Sequence, residues 1–270
     1  MLKKLLVPLA AGALAILALP SPSANADHRW SDYHWARTSN PFTLKAGDNV
    51  TSAWDSYLDT AITEWNKSTV LDVTKVTGGT SRYNCRPTAG RMEVCNASYG
   101  SNGWLGLASV WTNGSHITQG TVKLNDTYYS QAKYNTVAYR NLVMCQEIGH
   151  IFGLGHQDEN QTNANLNTCM DYTNNPESNQ HPNQHDYDLL EEIYGHADST
   201  TTIGQSAQSA AKMQRVPAGR GVPAEWGDAL VSGHAGAGHK AHGHAHAHPH
   251  AYVRDLGNGN AVFTFVVWAE

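Results

Sequence analysis

The chain has 270 residues, of which 15% are charged, and its formal net charge is −5 at pH 7. This balance provides no basic surface for nucleic acid, so we exclude nucleic-acid binding. Asn, Thr, Ser and Gly are abundant, which is typical of an exported protein whose solubility comes from neutral polar groups.

The N-terminus has the pattern of a secretory signal peptide. Two lysines precede an apolar run over residues 5–19, and Ala24-Asn25-Ala26 has the form of a cleavage site. The run is shorter than the roughly 20 residues that a spanning helix needs, although an uncleaved anchor is the alternative. We therefore predict a signal peptide over 1–26 and a secreted mature chain that does not associate with membranes.

The cysteines are four in number, and an even count in an exported chain favours disulfide bonds. Three pairings are possible. We favour Cys85 with Cys95, across a hairpin, and Cys145 with Cys169. No C-x-x-C spacing occurs, so a structural zinc site built from the four cysteines is not expected.

The first half of the mature chain alternates strand and helix patterns. The helix is indicated by apolar residues that recur every three or four positions, and the strands by looser alternation. In chain order we predict a strand near Tyr33–Ala36 followed by a loop, a helix over Val50–Trp65 capped by Asp48, and strands over Val70–Val76 and Met92–Ala97.

The second half begins with a predicted hairpin, because Asn113-Gly114 is a turn signal between two apolar runs. Two helices follow, each stopped by a glycine. In chain order we predict strands over Leu105–Trp111 and Thr121–Asn125, a helix over Asn141–Phe152 that ends at Gly153, a polar loop over 158–168, and a helix over His185–Tyr194 that ends at Gly195.

The composition changes beyond residue 197. Residues 198–218 are typical of a linker, and residues 234–250 hold seven of the fifteen histidines. This His-rich segment could bind transition metals or make a pH-dependent contact, but a solvated linker explains it equally. We predict one domain over 27–197, a linker with the His-rich segment over 198–250, and a β-hairpin over 251–270.

The main chemical motif is CQEIGHIFGLGH, residues 145–156. On a helix, Gln146 and His150 share one face a turn apart, so both can reach one metal ion. Glu147 can act as general base on a metal-bound water. Gly153 can turn the chain and return His156 to the same ion.

The pattern Glu147-x-x-His150-x-x-Gly153-x-x-His156 resembles that of the metzincin metallopeptidases, in which a His stands in place of Gln146. Among them it is most similar to the matrixins. The segment TCMDY, residues 168–172, is similar to their Met-turn, and HDYDLLEEIYG, residues 185–195, to their closing helix. The resemblance covers roughly residues 30–196.

The resemblance implies one catalytic Zn²⁺ held by His150 and His156, with Gln146 as third ligand. The Gln amide oxygen is a weaker donor than imidazole, but it keeps the net charge of the ion. Glu147 would be the catalytic base. Tyr172 would bind the zinc or stabilise the transition state, or would simply pack beneath the site.

Other features of matrixins are missing. No P-R-C-G motif for latency occurs, and only His116 could serve their structural zinc site, so neither is expected. The polar loop could bind Ca²⁺ through oxygen atoms, but its spacing is not that of an EF-hand and favours a solvated loop. Its candidate calcium ligands are Asp158, Asn160, Asn163, Asn165 and Asn167.

We therefore expect an α+β fold: a metzincin-like catalytic domain with a twisted mixed sheet, an active-site helix, a Met-turn and a closing helix, plus a small C-terminal β-hairpin. Leu105–Trp111 would be an edge strand above the cleft, open to an extended peptide. The expected activity is zinc-dependent hydrolysis of polypeptides by a monomer. The alternative is a non-catalytic metal-binding or interaction protein on the same fold.

Overall fold

The computed structural model describes residues 28–204, 225–230 and 248–269. The predicted signal peptide over 1–26 lies outside the described residues, as do most of the predicted linker and most of the His-rich segment. Predictions about those parts stay predictions.

Nine strands of the described residues form one mixed sheet, so the predicted α+β fold with a mixed sheet is confirmed. In chain order they are β1 (His34–Trp35), β2 (Phe42–Asn49), β3 (Leu71–Thr77), β4 (Met92–Ala97), β5 (Trp104–Asn113), β6 (His116–Asn125), β7 (Asp228–Leu230), β8 (Ala251–Gly257) and β9 (Asn260–Trp268). The order across the sheet is β3-β2-β4-β6-β5-β9-β8-β7, with β1 pairing on β6. Pairing is parallel from β3 to β6 and antiparallel from β6 to β7.

The helices pack on this sheet through apolar side chains. In chain order they are α1 (Asp55–Trp65), α2 (Asp126–Tyr129), α3 (Val137–Ile151) and α4 (Gln184–Ile193), with a short 3-10 helix at Pro176–Ser178. The Thr136 side chain caps α3, and Asn183 and Asp186 form a capping box on α4. Helix α3 is buried along most of its length, so its polar residues lie inside the protein rather than on its surface.

The segment between β1 and α1 differs from the prediction. Instead of a loop it contains β2, in which Phe42, Leu44 and Ala46 alternate with exposed residues. Asp48 is not the cap of α1, because parallel pairing of β2 with β3 and β4 keeps it inside the strand. Helix α1 begins later than predicted, after Trp54, and has no side-chain cap.

The prediction that residues 105–111 form an edge strand is wrong. Strand β9 pairs with β5 in antiparallel register along its whole length, from Trp104 opposite Trp268 to Asn113 opposite Asn260. The predicted C-terminal hairpin is confirmed as β8 and β9, and it extends the main sheet. The predicted linker contributes the short strand β7 beyond it.

Both favoured disulfide bonds are present. Cys85 is bonded to Cys95, and Cys145 on α3 to Cys169. The second bond joins the helix that carries the motif to the turn that carries Met170. In the described residues no helix combines the length and apolar character of a membrane span.

Candidate active site

Helix α3 brings the predicted site residues of its last turns into the interior. Gln146, Glu147 and His150 are each at most 1% exposed. The chain leaves the helix at Gly153 with φ of +95°, and a Cβ there would stand 2.3 Å from the Tyr33 carbonyl oxygen. Only glycine suits this turn, which returns the chain towards the helix.

The His150 imidazole is held in the tautomer that a metal requires. Its Nδ1 donates a hydrogen bond to the Leu154 carbonyl at 2.8 Å, so Nε2 carries the lone pair. Among the described residues Nε2 has no hydrogen-bond partner, although it is fully buried. Burial, followed by the nearby His156, lowers the pKa of His150 well below its usual value, so the ring is neutral. A neutral, orphaned imidazole nitrogen fits a metal ligand.

The turn at Gly153 places His156 beside His150, with 4.6 Å between their ring centroids. The Nε2 of His156 is 3.0 Å from the Tyr172 hydroxyl, and its Nδ1 is 3.3 Å from Glu159. Tyr172 is 4% exposed, and burial raises its pKa well above the usual value, so it is a neutral donor. The structure thus brings His150, His156 and Tyr172 together, and their roles at a metal ion stay predictions.

Gln146 lies on the same side of α3 as His150. Its amide Nε2 is buried and has no hydrogen-bond partner within the described part of the chain. The amide also lines a recess of about 380 Å³, mouth included, which Val267 and Trp268 of β9 help to enclose. An amide nitrogen does not bind zinc, so the ligand atom would be the amide oxygen of Gln146, and its place beside the two imidazoles as the third and weakest ligand stays a prediction.

Glu147 is fully buried between α3 and β5. Neither carboxylate oxygen has a hydrogen bond of ordinary geometry to a described residue. Burial raises the pKa of Glu147 well above its usual value, while the backbone N–H groups of Val267 and Ala108 act in the opposite direction. The strand approaches so closely that a Cβ on Gly106 would stand 2.6 Å from a Glu147 oxygen. A carboxyl group of raised pKa in such a place can both accept and return a proton.

The predicted Met-turn supports the helix from below. A Cβ on Gly149 would stand 2.5 Å from the Met170 sulfur and 2.8 Å from the Trp65 ring, so these side chains fill the space next to His150. The turn is held from α4, because the Thr168 hydroxyl donates to Asp186 and also accepts from the Met170 backbone. Met170 and the disulfide bond therefore hold α3 against the Met-turn.

The polar loop is held by hydrogen bonds of its own side chains. Asp158 accepts hydrogen bonds from the Asn160 backbone and from the Asn163 side chain, and Asn165 donates to Asn175 and Ser178. These hydrogen bonds already use the Asp158 carboxylate and the amides of two predicted calcium ligands, Asn163 and Asn165. Calcium binding by this loop stays a prediction.

The C-terminal hairpin covers the whole cluster, a feature that the sequence analysis missed. The Phe265 ring stacks on His150 with 4.2 Å between centroids, and the Tyr172 hydroxyl is 3.2 Å from the Val266 carbonyl oxygen. The His250 ring lies 4.3 Å from the Tyr172 ring. The apolar run over residues 261–268 beside a Gly/Asn turn indicated a hairpin strand, but its other partner, β5, lies far earlier in the chain and left no local signal.

Comparisons with known proteins identify the family of the chain. A family profile described as Matrixin matches residues 34–195, which include every predicted site residue. Two solved structures are similar at low identity: myroilysin (13% identity, TM-score 0.37, covering 63% of this chain and 99% of that one) and high choriolytic enzyme 1, a hatching enzyme zinc-protease from Oryzias latipes, the Medaka fish (12%, 0.33, 62% and 96%). No curated protein matches the chain.

Proposed function

The chain belongs to the matrixin family of metallopeptidases, and from this premise we propose that it is a secreted zinc-dependent endopeptidase. The observation that carries the proposal is the pairing of His150 with His156, 4.6 Å apart between ring centroids, with the fully buried carboxyl group of Glu147 three residues before His150 on the same helix. His150 and His156 would hold the ion, with Gln146 as third ligand. A bound zinc ion would polarise the scissile carbonyl and lower the pKa of its water.

The chain's own residues would do the proton chemistry. Glu147 would accept a proton from the attacking water and deliver it to the leaving amine, which its raised pKa favours. Tyr172 would donate its hydroxyl proton to the oxyanion, as it now donates to the Val266 carbonyl. The peptide would bind in an extended conformation along β5.

We infer that the enzyme is latent while its hairpin is in place. Strand β9 lies antiparallel along β5, where a substrate would lie, and its Val266 carbonyl receives the hydrogen bond of Tyr172. Its Phe265 ring covers His150. A peptide therefore has to displace β9 before it can reach Glu147, which is fully buried.

The test is casein cleavage by full-length protein saturated with zinc. A hairpin variant, Phe265→Ala with Val267→Pro, would lose the stacking on His150 and the pairing with β5. Thr264→Ala is the matched control, because the Thr264 hydroxyl contacts Ser109 of β5 on the face of the sheet opposite to Phe265. We expect the hairpin variant to cleave casein at least about tenfold faster than wild type and the control.

Adding Glu147→Gln to the hairpin variant separates the two candidate functions. The proposed peptidase would lose almost all cleavage while keeping its zinc. If the folded, zinc-loaded hairpin variant shows no Glu147-dependent cleavage, the non-catalytic alternative is correct. If wild type and the hairpin variant are equally active, the peptidase is right and the latency is wrong.

A further inference from the structure

A second group of potential metal ligands lies apart from the candidate active site. It combines His34 of β1, His116 at the start of β6, and His196 and Asp198 beyond the end of α4. We propose that these four residues bind one structural zinc ion. The proposal is independent of the peptidase activity, since none of the four belongs to the active-site cluster.

His34, His116 and Asp198 offer ligand atoms within 4.8 Å of one another, and His196 adds a fourth that lies close to His34 and Asp198. With bonds of about 2.0–2.1 Å, the corners of a tetrahedral zinc site stand about 3.3–3.4 Å apart. The Nε2 atoms of His34, His116 and His196 lie 3.4, 3.4 and 3.7 Å from one oxygen, Oδ1 of Asp198. The Nε2 atoms of His34 and His196 are 3.3 Å apart.

The His34 ring is held in the tautomer that binds metal. Its Nδ1 donates to the Asp32 carbonyl at 2.7 Å, so its Nε2 presents a lone pair to the group. A backbone carbonyl behind the imidazole fixes both the ring orientation and the position of the proton, as is typical of zinc-bound histidine.

Asp198 is held with one oxygen turned towards the imidazoles. Its other oxygen, Oδ2, accepts hydrogen bonds from the Arg37 backbone N–H at 3.0 Å and from the Arg37 guanidinium at 2.7 Å. Arg37 is 2% exposed, so this contact is rigid. Oδ1 remains for the metal, so Asp198 would be a single-oxygen ligand beside the three imidazoles.

The chemistry and accessibility of the group favour zinc. Three imidazoles and one carboxylate are borderline ligands, which suit zinc better than calcium or magnesium. The side chains of His34 and Asp198 are 8% and 11% exposed, whereas those of His116 and His196 are 36% and 50% exposed. An ion can therefore enter from the solvent side and find two ligands already fixed.

The site would be structural, because four protein ligands leave no open position for a substrate. It would join the two-residue strand β1 to β6 and to the chain after α4. Strand β1 also touches the active-site helix, since the Trp35 indole donates to the Ile151 carbonyl at 2.8 Å. The ion would thus stabilise the N-terminal segment against the end of α3.

Zinc content measures the proposal directly. Four full-length proteins would be saturated with zinc, desalted and assayed for bound metal. They are wild type, the double variant His116→Ala/His196→Ala, the single variant His196→Ala and the exposed control His181→Ala. The substituted residues lie on the solvent side of the group, so the contact of Asp198 with Arg37 is retained. We expect the double variant to hold one zinc ion fewer per chain than wild type and the control.

A thermal readout accompanies the zinc content. A chelator should lower the Tm of wild type and of His181→Ala more than that of the double variant, with His196→Ala in between. Equal zinc content in all four folded proteins would overturn the proposal. All four proteins share the active-site residues and the His-rich segment, so zinc bound at either place cannot produce a difference between them. Failure of the proposed peptidase activity would appear separately, as missing Glu147-dependent cleavage.

Discussion

The ring of Phe265 lies parallel to the imidazole of His150, with 4.2 Å between centroids and 10° between planes. Phe265 belongs to the last strand of the sheet and His150 to the central helix. The contact covers one face of a proposed metal ligand with an apolar ring, and it is the point at which the hairpin reaches deepest into the site. Both side chains are about 1% exposed as a result.

Removal of this ring should speed metal exchange. In Phe265→Ala, the face of His150 becomes accessible to water and chelator, so we expect zinc to leave at least about tenfold faster. The rate is followed with a chromogenic chelator. Thr264→Ala, which changes the neighbouring residue of β9, should exchange at the wild-type rate. Equal rates of zinc release from both variants would show that Phe265 does not slow the release of the ion.

Restoring the imidazole at position 146 should tighten zinc binding. In Gln146→His the third ligand becomes a stronger donor on the same helical face, and we expect the Kd for zinc to fall by about tenfold or more. Competition with a chelator measures it. The truncation Gln146→Ala removes the amide oxygen and should weaken zinc binding. An affinity that is unchanged in both variants would place Gln146 outside the ligand set.

The packing beneath α3 should not tolerate an added methyl group. A Cβ in Gly149→Ala would collide with Met170 and Trp65, and we expect a loss of about 1–3 kcal/mol in the free energy of unfolding. Zinc affinity should fall too, because Gly149 precedes His150. Urea denaturation and chelator competition give the two values. Thr63→Ala on the exposed face of α1 should change neither by much, and a wild-type result for Gly149→Ala would contradict the close packing.

The disulfide bond between α3 and the Met-turn should affect both stability and the metal. It closes a loop with a sequence separation of 24, so Cys145→Ala/Cys169→Ala should cost about 3 kcal/mol of unfolding free energy. The matched pair is Cys85→Ala/Cys95→Ala, which should cost a similar amount but leave zinc affinity unchanged. If the two pairs lower zinc affinity equally, the orienting role of the first bond is refuted.

The buried side chain of Lys123 makes the free energy of unfolding depend on pH in the alkaline range. Burial lowers the pKa of Lys123 from 10.5 to about 8, opposed by the charge of Glu225. Between these values the unfolded chain binds more protons than the folded one, so this lysine makes stability rise with pH from about 8 to 10.5. The full effect is about 3 kcal/mol. We expect Lys123→Met to be more stable than wild type at pH 7, with a gap that closes towards pH 10.5 in urea denaturation. A gap that is constant with pH would contradict the lowered pKa.

Local patterns predicted the parts of the site that lie close together in sequence. The i, i+4 spacing of residues 146 and 150 puts both side chains on one face of α3 by helix geometry alone. Gly153 turns the chain so that His156 lies beside His150. Strand β2 was missed because it pairs in parallel with strands that follow much later, although its alternation of buried and exposed residues is visible afterwards.

Long-range pairing could not be predicted in the same way. The sequence indicated both β5 and the C-terminal hairpin. No residue pattern predicts which edge of a sheet a strand will join, so β5 was predicted to be an open edge. The second metal group is equally hidden, because His34, His116 and Asp198 come from three distant segments with no characteristic spacing. Only the fold brings them within 4.8 Å of one another.

The pairing of β9 with β5 also has a kinetic consequence. Because both strands belong to one polypeptide, their association is unimolecular and does not weaken when the protein is diluted. A tethered segment competes at an effective concentration on the order of millimolar, far above that of most free peptides. Substrate excess alone would therefore open few molecules, whereas a single cut between residues 204 and 225 would make the association of the hairpin bimolecular and sensitive to dilution.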